Sequence, residues 1–392
     1  MLRSLHFLPW CHLERAFSAG GVTLLPIDLS HPPTQLDDET IRSIRSVLSD
    51  FIDITGQPVE KFAVVSLHNH ILLDYLVDPA DAAAIRDYVD IACLSGLSDR
   101  EFLGRAEPYC NSDCFLLYER RFESVTGVRA PMFRRRDNTP FWSAAGPAMR
   151  VHVPLHAAVV PRVSLDESFF SALASFREIV VTSSDSERWI AWQEAIYCFN
   201  QANADNESVS EHLEWVLMSS ALERILVAPA NHDAVAKRFI QAIVPGRPQL
   251  YFDLSLLRDW VQEFYRLRGD FAHGRIRSRK LRRWESWHHL LFCANAFPLL
   301  VKSLLENEKA YEFTENDHCQ LAALAWIPRV LGPFGDGKEL ASIYQRSAFV
   351  NSAITNGVLI RAGTRCFHKT NRGHLSRERQ QSRQYLRVEL FT

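Results

Sequence analysis

The feature that most constrains this chain is a change of period. From Ser164 onward, apolar residues recur every three to four positions in one run after another, the spacing of helices that each bury one stripe. "SLDESFFSALASFREI" opens with Ser164 and has Glu167 three residues on, a capping-box pattern. "SDSERWIAWQEAIYCFNQAN" and "SVSEHLEWVLMSSALERILV" follow, then a short helix near 232–244. "DLSLLRDWVQEFYRLR" is capped by Asp253 and carries the stripe Leu257, Trp260, Val261, Phe264 and Phe271. A long helix over "KLRRWESWHHLLFCANAFPLLVKSLLENEKAYE" closes the set, and one or two further helices are expected within 316–348.

Before residue 160 the period is shorter. "HFLPW", "GVTLLPIDL", "FAVVSLHN", "DCFLLYERRF" and "MRVHVPLHAAVV" are β-rich runs bounded by turn residues. One clear helix lies among them at 78–96, with Asp78 before Pro79 as its start. The segment 125–149 has three Pro and no clean period, and reads as a long loop carrying Arg134, Arg135 and Arg136. The expected fold class is α+β. A mixed α/β domain over 1–160, with a regulatory or sensor role, precedes an all-α bundle over 161–315 and C-terminal helices with a basic tail over 316–392.

Composition narrows the function classes. With 392 residues, 47% of them apolar, the chain can bury a core without disulfides or metals as staples. A net charge of −2 excludes a polycation, yet the cations divide into 37 Arg and only 7 Lys. Arg offers a planar fork that suits phosphate, although a genome rich in G and C gives the same bias. Eight cysteines are scattered along the chain, and four of them, Cys198 and Cys293 included, sit in apolar runs where a thiol acts as a small hydrophobe. The N-terminal "MLRSLHFLPWCHLERAF" meets charge and Pro before a signal-like apolar run builds up. The longest apolar run, "LLFCANAFPLLV", is short for a bilayer and contains Pro298. A reducing cytoplasm and no membrane partner are expected.

One stretch concentrates chemistry. "LRGDFAHGRIRSRK", residues 267–280, sets Arg268 five residues before His273 and then adds Arg275, Arg277, Arg279 and Lys280, with Asp270 as the counter-charge. The Arg-x4-His spacing says little alone. It occurs twice, at Arg268/His273 and Arg283/His288, about as often as chance supplies with 37 Arg and 15 His. A surface Arg and a His ending a helix would give the first pair equally well.

The surroundings say more. A long helix pattern ending "YRLRGDFAHG", preceded by a helix with "ALERIL" and followed by a long apolar helix, resembles the HEPN superfamily (higher eukaryote and prokaryote nucleotide-binding domains), in particular its Apea-like branch. The match rests on Tyr265, Arg268, His273 and Gly274, with Leu222 and Glu223 on the earlier helix. It covers about 165–310, and the early "LPW" is similar as well. The chain departs from the pattern at Gly269, where a small polar residue is common, and at Arg275, where toxin-like relatives carry Tyr.

The resemblance implies a metal-independent endoribonuclease that cleaves RNA through its own 2′-OH, needs no cofactor, and works as a homodimer in bacterial antiviral defence or growth arrest. Arg268 and His273 would be its catalytic residues. A histidine titrates near neutrality and can pass protons, and an arginine can grip the non-bridging oxygens. Arg266, Asp270, Arg275, Arg277, Arg279 and Lys280 would contact the substrate, the cations through its backbone. Trp284 and Trp287 would either stack bases or serve the core. Such an enzyme calls for a brake or trigger, so a regulatory partner is expected. The other reading is a HEPN module that binds RNA or dimerises without catalysis.

Geometry adds a condition. Five residues along a helix turn about 500°, leaving Arg268 and His273 about 140° apart. Either the helix distorts at Gly269, where glycine favours it, or the groups meet across a dimer. Arg266 would lie within about 20° of His273 on the same face.

Other motifs carry less. "GPFGDGKE" has P-loop spacing but Glu339 in place of the Mg²⁺-binding hydroxyl. His212 and Glu214 lack the Cys pair of a zinc deaminase. His68 and His70, expected on one side of a strand, have no third ligand in view. No metal site is expected.

Overall fold

The structure, a computed structural model, describes residues 2–34, 36–74, 78–98, 110–123, 129–130, 132–134, 140–142, 150–154, 157, 162–183, 185–204, 209–229, 231–244, 253–272 and 283–330. The fold is α+β, as the change of period predicts. Among the described residues it contains one seven-stranded antiparallel sheet, two separate two-stranded pairs and nine α-helices.

The sheet is built around β1 (Leu2–Leu8). Its order is β2 (Phe17–Ala19), β3 (Val22–Asp28), β5 (Lys61–Leu67), β1, β7 (Tyr118–Glu123) and β8 (Arg129–Ala130). β6 (Leu72–Asp74) also pairs with β1. In the register that sets Phe7 opposite Val64, Leu5 would face Ser66; it faces Leu72 instead, six residues further on. The chain therefore leaves β1 after β5, makes an excursion, and returns as β6. The turn of that excursion holds His68 and Asn69 at φ 49° and 67°, closed by Leu67 N to His70 O at 3.1 Å and His70 N to Leu67 O at 2.8 Å. Positive φ at both central residues is the turn that matches strand twist, and Asn tolerates it. The expectation of a continuous strand through His68 and His70 is corrected accordingly.

The loop expected over 125–149 is corrected too. Within it β8 pairs with β7, and β9 (Met132–Arg134) pairs with β10 (Pro140–Trp142). Arg134 lies on β9, while Arg135 and Arg136 lie outside the described residues. β4 (Phe51–Ile52) and β11 (Val151–His152) form a short parallel pair.

Among the described residues, two long helices lie before residue 160, where one is expected. α1 (Asp38–Leu48) is capped by Asp37, which accepts from Thr40 N at 2.6 Å, and buries Ile44, Val47 and Leu48. Ile41, Ile44, Val47 and Leu48 recur at helical spacing on one face, with polar residues on the other. α2 (Pro79–Ser98) is the reverse: it is apolar nearly all round because it packs on β3 and β5 on one side and on later helices on the other. Against it lies the β2–β3 turn. Gly20 sits there at φ +53°, and a Cβ at this position would fall 1.8 Å from the Tyr88 hydroxyl, so only glycine fits.

The helices after residue 163 are α3 (Glu167–Thr182), α4 (Ser186–Ala202), α5 (Glu211–Ile225), α6 (His232–Ile243), α7 (Leu254–Ala272), α8 (Ser286–Asn307) and α9 (Glu315–Val330). α3 starts later than the Ser164 pattern suggests. Asp166 caps it, accepting from Phe169 N at 3.0 Å, while Leu165 is buried. α8 likewise begins at Ser286, behind a capping box in which Glu285 N donates to His288 Nδ1 at 3.1 Å. Its stretch His288–Asn307 is long and apolar enough to cross a membrane, but 67% of that window is buried within the protein. One hydrophobic cluster runs from the sheet through α2 into these helices.

Candidate functional site

α7 supplies the site's frame. Leu257, Trp260, Val261, Phe264 and Leu267 are buried along one stripe, and Asp253 accepts from Leu256 N at 3.1 Å at the helix start. The stripe seats α7 on α5, α6 and α9. Tyr265 is buried and its hydroxyl donates to Ser219 O of α5 at 2.9 Å. Burial, reinforced by the nearby Glu223, pushes the Tyr265 phenol far up, so it is a fixed donor and not an acid.

One turn further on, Arg268 faces Glu223 of α5. The two groups lie in parallel, with Nη1–Oε1 and Nη2–Oε2 both at 3.4 Å. Charge-assisted pairs usually close to about 2.7–2.9 Å, so this one is slack. Arg268 Nε and Glu223 Oε1 are both buried, and neither has a hydrogen-bond partner among the described residues. Burial raises the Glu223 carboxyl above its ordinary value, against the opposing charge of Arg268. The Arg268 side chain keeps 27% of its surface exposed. Thus Tyr265 and Arg268 do meet Ser219 and Glu223 from more than 40 residues away.

The condition set by helix geometry is now sharper. α7 runs as a regular helix through Gly269 to Ala272, so the expected break at Gly269 is corrected. Nothing lies within 4 Å of a Cβ built on Gly269, so crowding does not demand glycine there. Arg266 is exposed on α7. Asp270 belongs to the helix by its backbone, and its side chain lies outside the described residues, as do His273, Arg275, Arg277, Arg279 and Lys280 in full.

Where the chain returns after residue 282, α7 holds it by two acids one turn apart. Glu263 accepts from Arg283 N at 3.0 Å, from Trp284 N at 3.0 Å and pairs with His289 Nε2 at 3.1 Å. Asp259 binds the Arg283 guanidinium. His289 is fully buried among Trp215, Trp260, Phe264 and Trp284. Burial would raise the Glu263 carboxyl, but His289 and the two backbone N–H groups together hold it below its ordinary value. Sequence reasoning missed this clamp, although an acid beside Trp260 and Phe264 in an apolar stripe is a usable signal. Trp284 is 2% exposed and belongs to the core, while the Trp287 side chain lies outside the described residues. Arg283 and His288 serve the return and the cap of α8 and make no second site.

The remaining motifs stay apart. His68 contacts Asp81 at 3.9 Å from an exposed turn, His212 and Glu214 occupy the first turn of α5, and "GPFGDGKE" lies outside the described residues. Among the described residues no group of three His, Cys, Asp or Glu side chains could hold a metal. No protein-family model, curated protein or solved structure matches this chain.

Proposed function

We propose that this chain is a metal-independent, HEPN-type endoribonuclease acting as a homodimer, with Arg268 and His273 as its catalytic pair. The observation that carries the reading is the slack Arg268–Glu223 pair on α7 and α5. It offers a guanidinium that is aligned, partly exposed and weakly bound, so a phosphate can displace the carboxylate at small cost. In the dimer that the family resemblance implies, each subunit would give one Arg and one His to a shared cleft. His273 would act as acid or base on the 2′-OH and the leaving oxygen, and Arg268 would stabilise charge on the phosphate. A role in antiviral defence or growth arrest belongs to the same proposal.

A second reading has an observation of its own. Arg268 is already neutralised by Glu223, which suits a module that binds RNA or dimerises without cleaving. End-labelled RNA incubated in EDTA with wild type, Arg268→Ala and His273→Ala separates the two. Products ending in 2′,3′-cyclic phosphate from wild type alone are expected. Intact RNA with all three proteins, together with no growth defect on expression in cells, would overturn the nuclease.

A further inference from the structure

Lys302 is the one lysine among the described residues that is buried; Lys61, Lys237 and Lys309 are exposed. Its side chain reaches from α8 to α9 and to the start of α3. There Nζ lies 2.5 Å from Asp317 Oδ1 and 2.6 Å from Asp166 Oδ2. Phe169 and Tyr311 wall the group, with ring centres 5.0 and 5.9 Å from Nζ. Lys302 and Asp317 are fully buried, whereas the Asp166 side chain keeps 15% of its surface exposed.

The two oxygens of Asp317 have different surroundings. Oδ1 faces the lysine, while Oδ2 accepts from the Tyr311 hydroxyl at 2.7 Å and from Thr314 N and Oγ1, both at 2.8 Å. Three donors on one oxygen stabilise the negative charge that gathers there when a nucleophile adds to the carboxyl carbon. The nucleophile stands beside the other oxygen. At rest the groups form an ion pair, with Lys302 holding the Asp317 carboxyl below its ordinary value. One ammonium between two carboxylates leaves a charge uncompensated in a dry site, which favours arrangements with fewer charges. Passing a proton from Nζ to Asp166 removes two charges and frees the lone pair of the amine. The buried Arg177 beside Asp87 has no such route, because a guanidinium stays charged.

We infer that Lys302 and Asp317 join in an intramolecular amide bond, formed by the folded chain itself. Asp166 takes a proton from Nζ, the free amine adds to Asp317 Cγ, and charge gathers on Oδ2 under its three donors. Asp166 hands its proton to Oδ1, takes the next from the nitrogen and passes that on as well. One C–N bond forms, the Cγ–Oδ1 bond breaks, and Oδ1 departs as water with the two protons. An ammonium and a carboxylate become a neutral amide, and Asp166 ends ionised as it began. Tyr311 and Thr314 also line an open cleft of about 400 Å³ against α3, which gives the water a way out. The bond ties α8 to α9 covalently. The acid titration of Asp317 belongs to the chain before closure, because the amide has no carboxyl left.

The experiment weighs the purified full-length protein by mass spectrometry after denaturation in acid, where no ion pair survives. The expected mass is one water below that of the sequence. Tryptic cleavage at Lys309 should leave the peptide carrying Lys302 joined to the one carrying Asp317, with no cut after Lys302. Asp166→Asn should show the full mass of its sequence, because asparagine still caps α3 but cannot carry the protons. A wild-type protein at full mass, a lost water mapped to other residues, or an Asp166→Asn protein joined as completely as the wild type would each overturn the inference. The wild-type mass and map decide even if the variant does not fold, and none of these outcomes depends on RNA cleavage.

Discussion

Two ion pairs in this protein, one fully buried and one half-buried, differ in how completely they are satisfied. Lys302 of α8 is fully buried between Asp166 and Asp317, at 2.6 and 2.5 Å. Asp317 also accepts from the Tyr311 hydroxyl at 2.7 Å and from Thr314 N and Oγ1 at 2.8 Å, and Lys302 Nζ lies 5.0 Å from the Phe169 ring centre. The Arg268–Glu223 pair, in contrast, stands at 3.4 Å with polar atoms left over on both sides. Taking charge out of water is costly, and only short contacts with full hydrogen bonding offset it. The first pair meets that demand and locks α8 to α9 and to the start of α3. The second falls short, which is how a group looks when another ligand completes it.

The contrast can be broken by mutation. Lys302→Met should have the largest effect, about 3–5 kcal/mol, because it strands the fully buried Asp317; urea unfolding measures it. Arg177→Met comes next at about 2–3 kcal/mol, since the guanidinium holds the buried Asp87 at 2.8 Å. The smallest is Arg268→Met, at most about 1 kcal/mol for a long, partly exposed pair, with RNA cleavage lost entirely under the proposed function. If Arg268→Met destabilises as much as Lys302→Met, the pair is structural and its slackness means nothing.

Acid and base sharpen the same point. For Asp317, burial alone would raise the carboxyl, but Lys302 beside it outweighs this and holds it below the ordinary 3.8. Its contribution to stability is therefore complete above that value and lost as pH falls through the lower, folded-state one. Asp90 runs the other way. Burial, with Asp87 nearby, raises it from 3.8 to about 7 despite the hydrogen bond from Asn200. Its contribution is complete below 3.8 and lost as pH rises through about 7. Asp90→Asn should remove that alkaline loss, about 4 kcal/mol between pH 4 and 8, measured as urea midpoints across the range.

Much of the scaffold was legible in the sequence because helices repeat their burial every turn. α2 and the run from α3 to α9 announce themselves by apolar spacing, Asp253 caps α7 as its position suggests, and Leu222, Glu223, Tyr265 and Arg268 stand out in the sequence itself. Other features were not legible. β8 to β10 hide in a stretch rich in Pro and Arg, whereas α1 does carry a legible stripe in Ile41, Ile44, Val47 and Leu48. His68 and Asn69 read as strand until the φ values of the turn are seen.

By itself, the sequence determined where the helices run, which faces are apolar and which segment carries the cations, since each depends on residues close along the chain. Only the tertiary structure decided that Asp166 caps α3 while binding Lys302, that Glu263 clamps the chain after residue 282, and that Arg268 rests on Glu223. Each of these brings together groups that satisfy one another's charge or hydrogen bonds across a buried interface, and no local pattern records such partners.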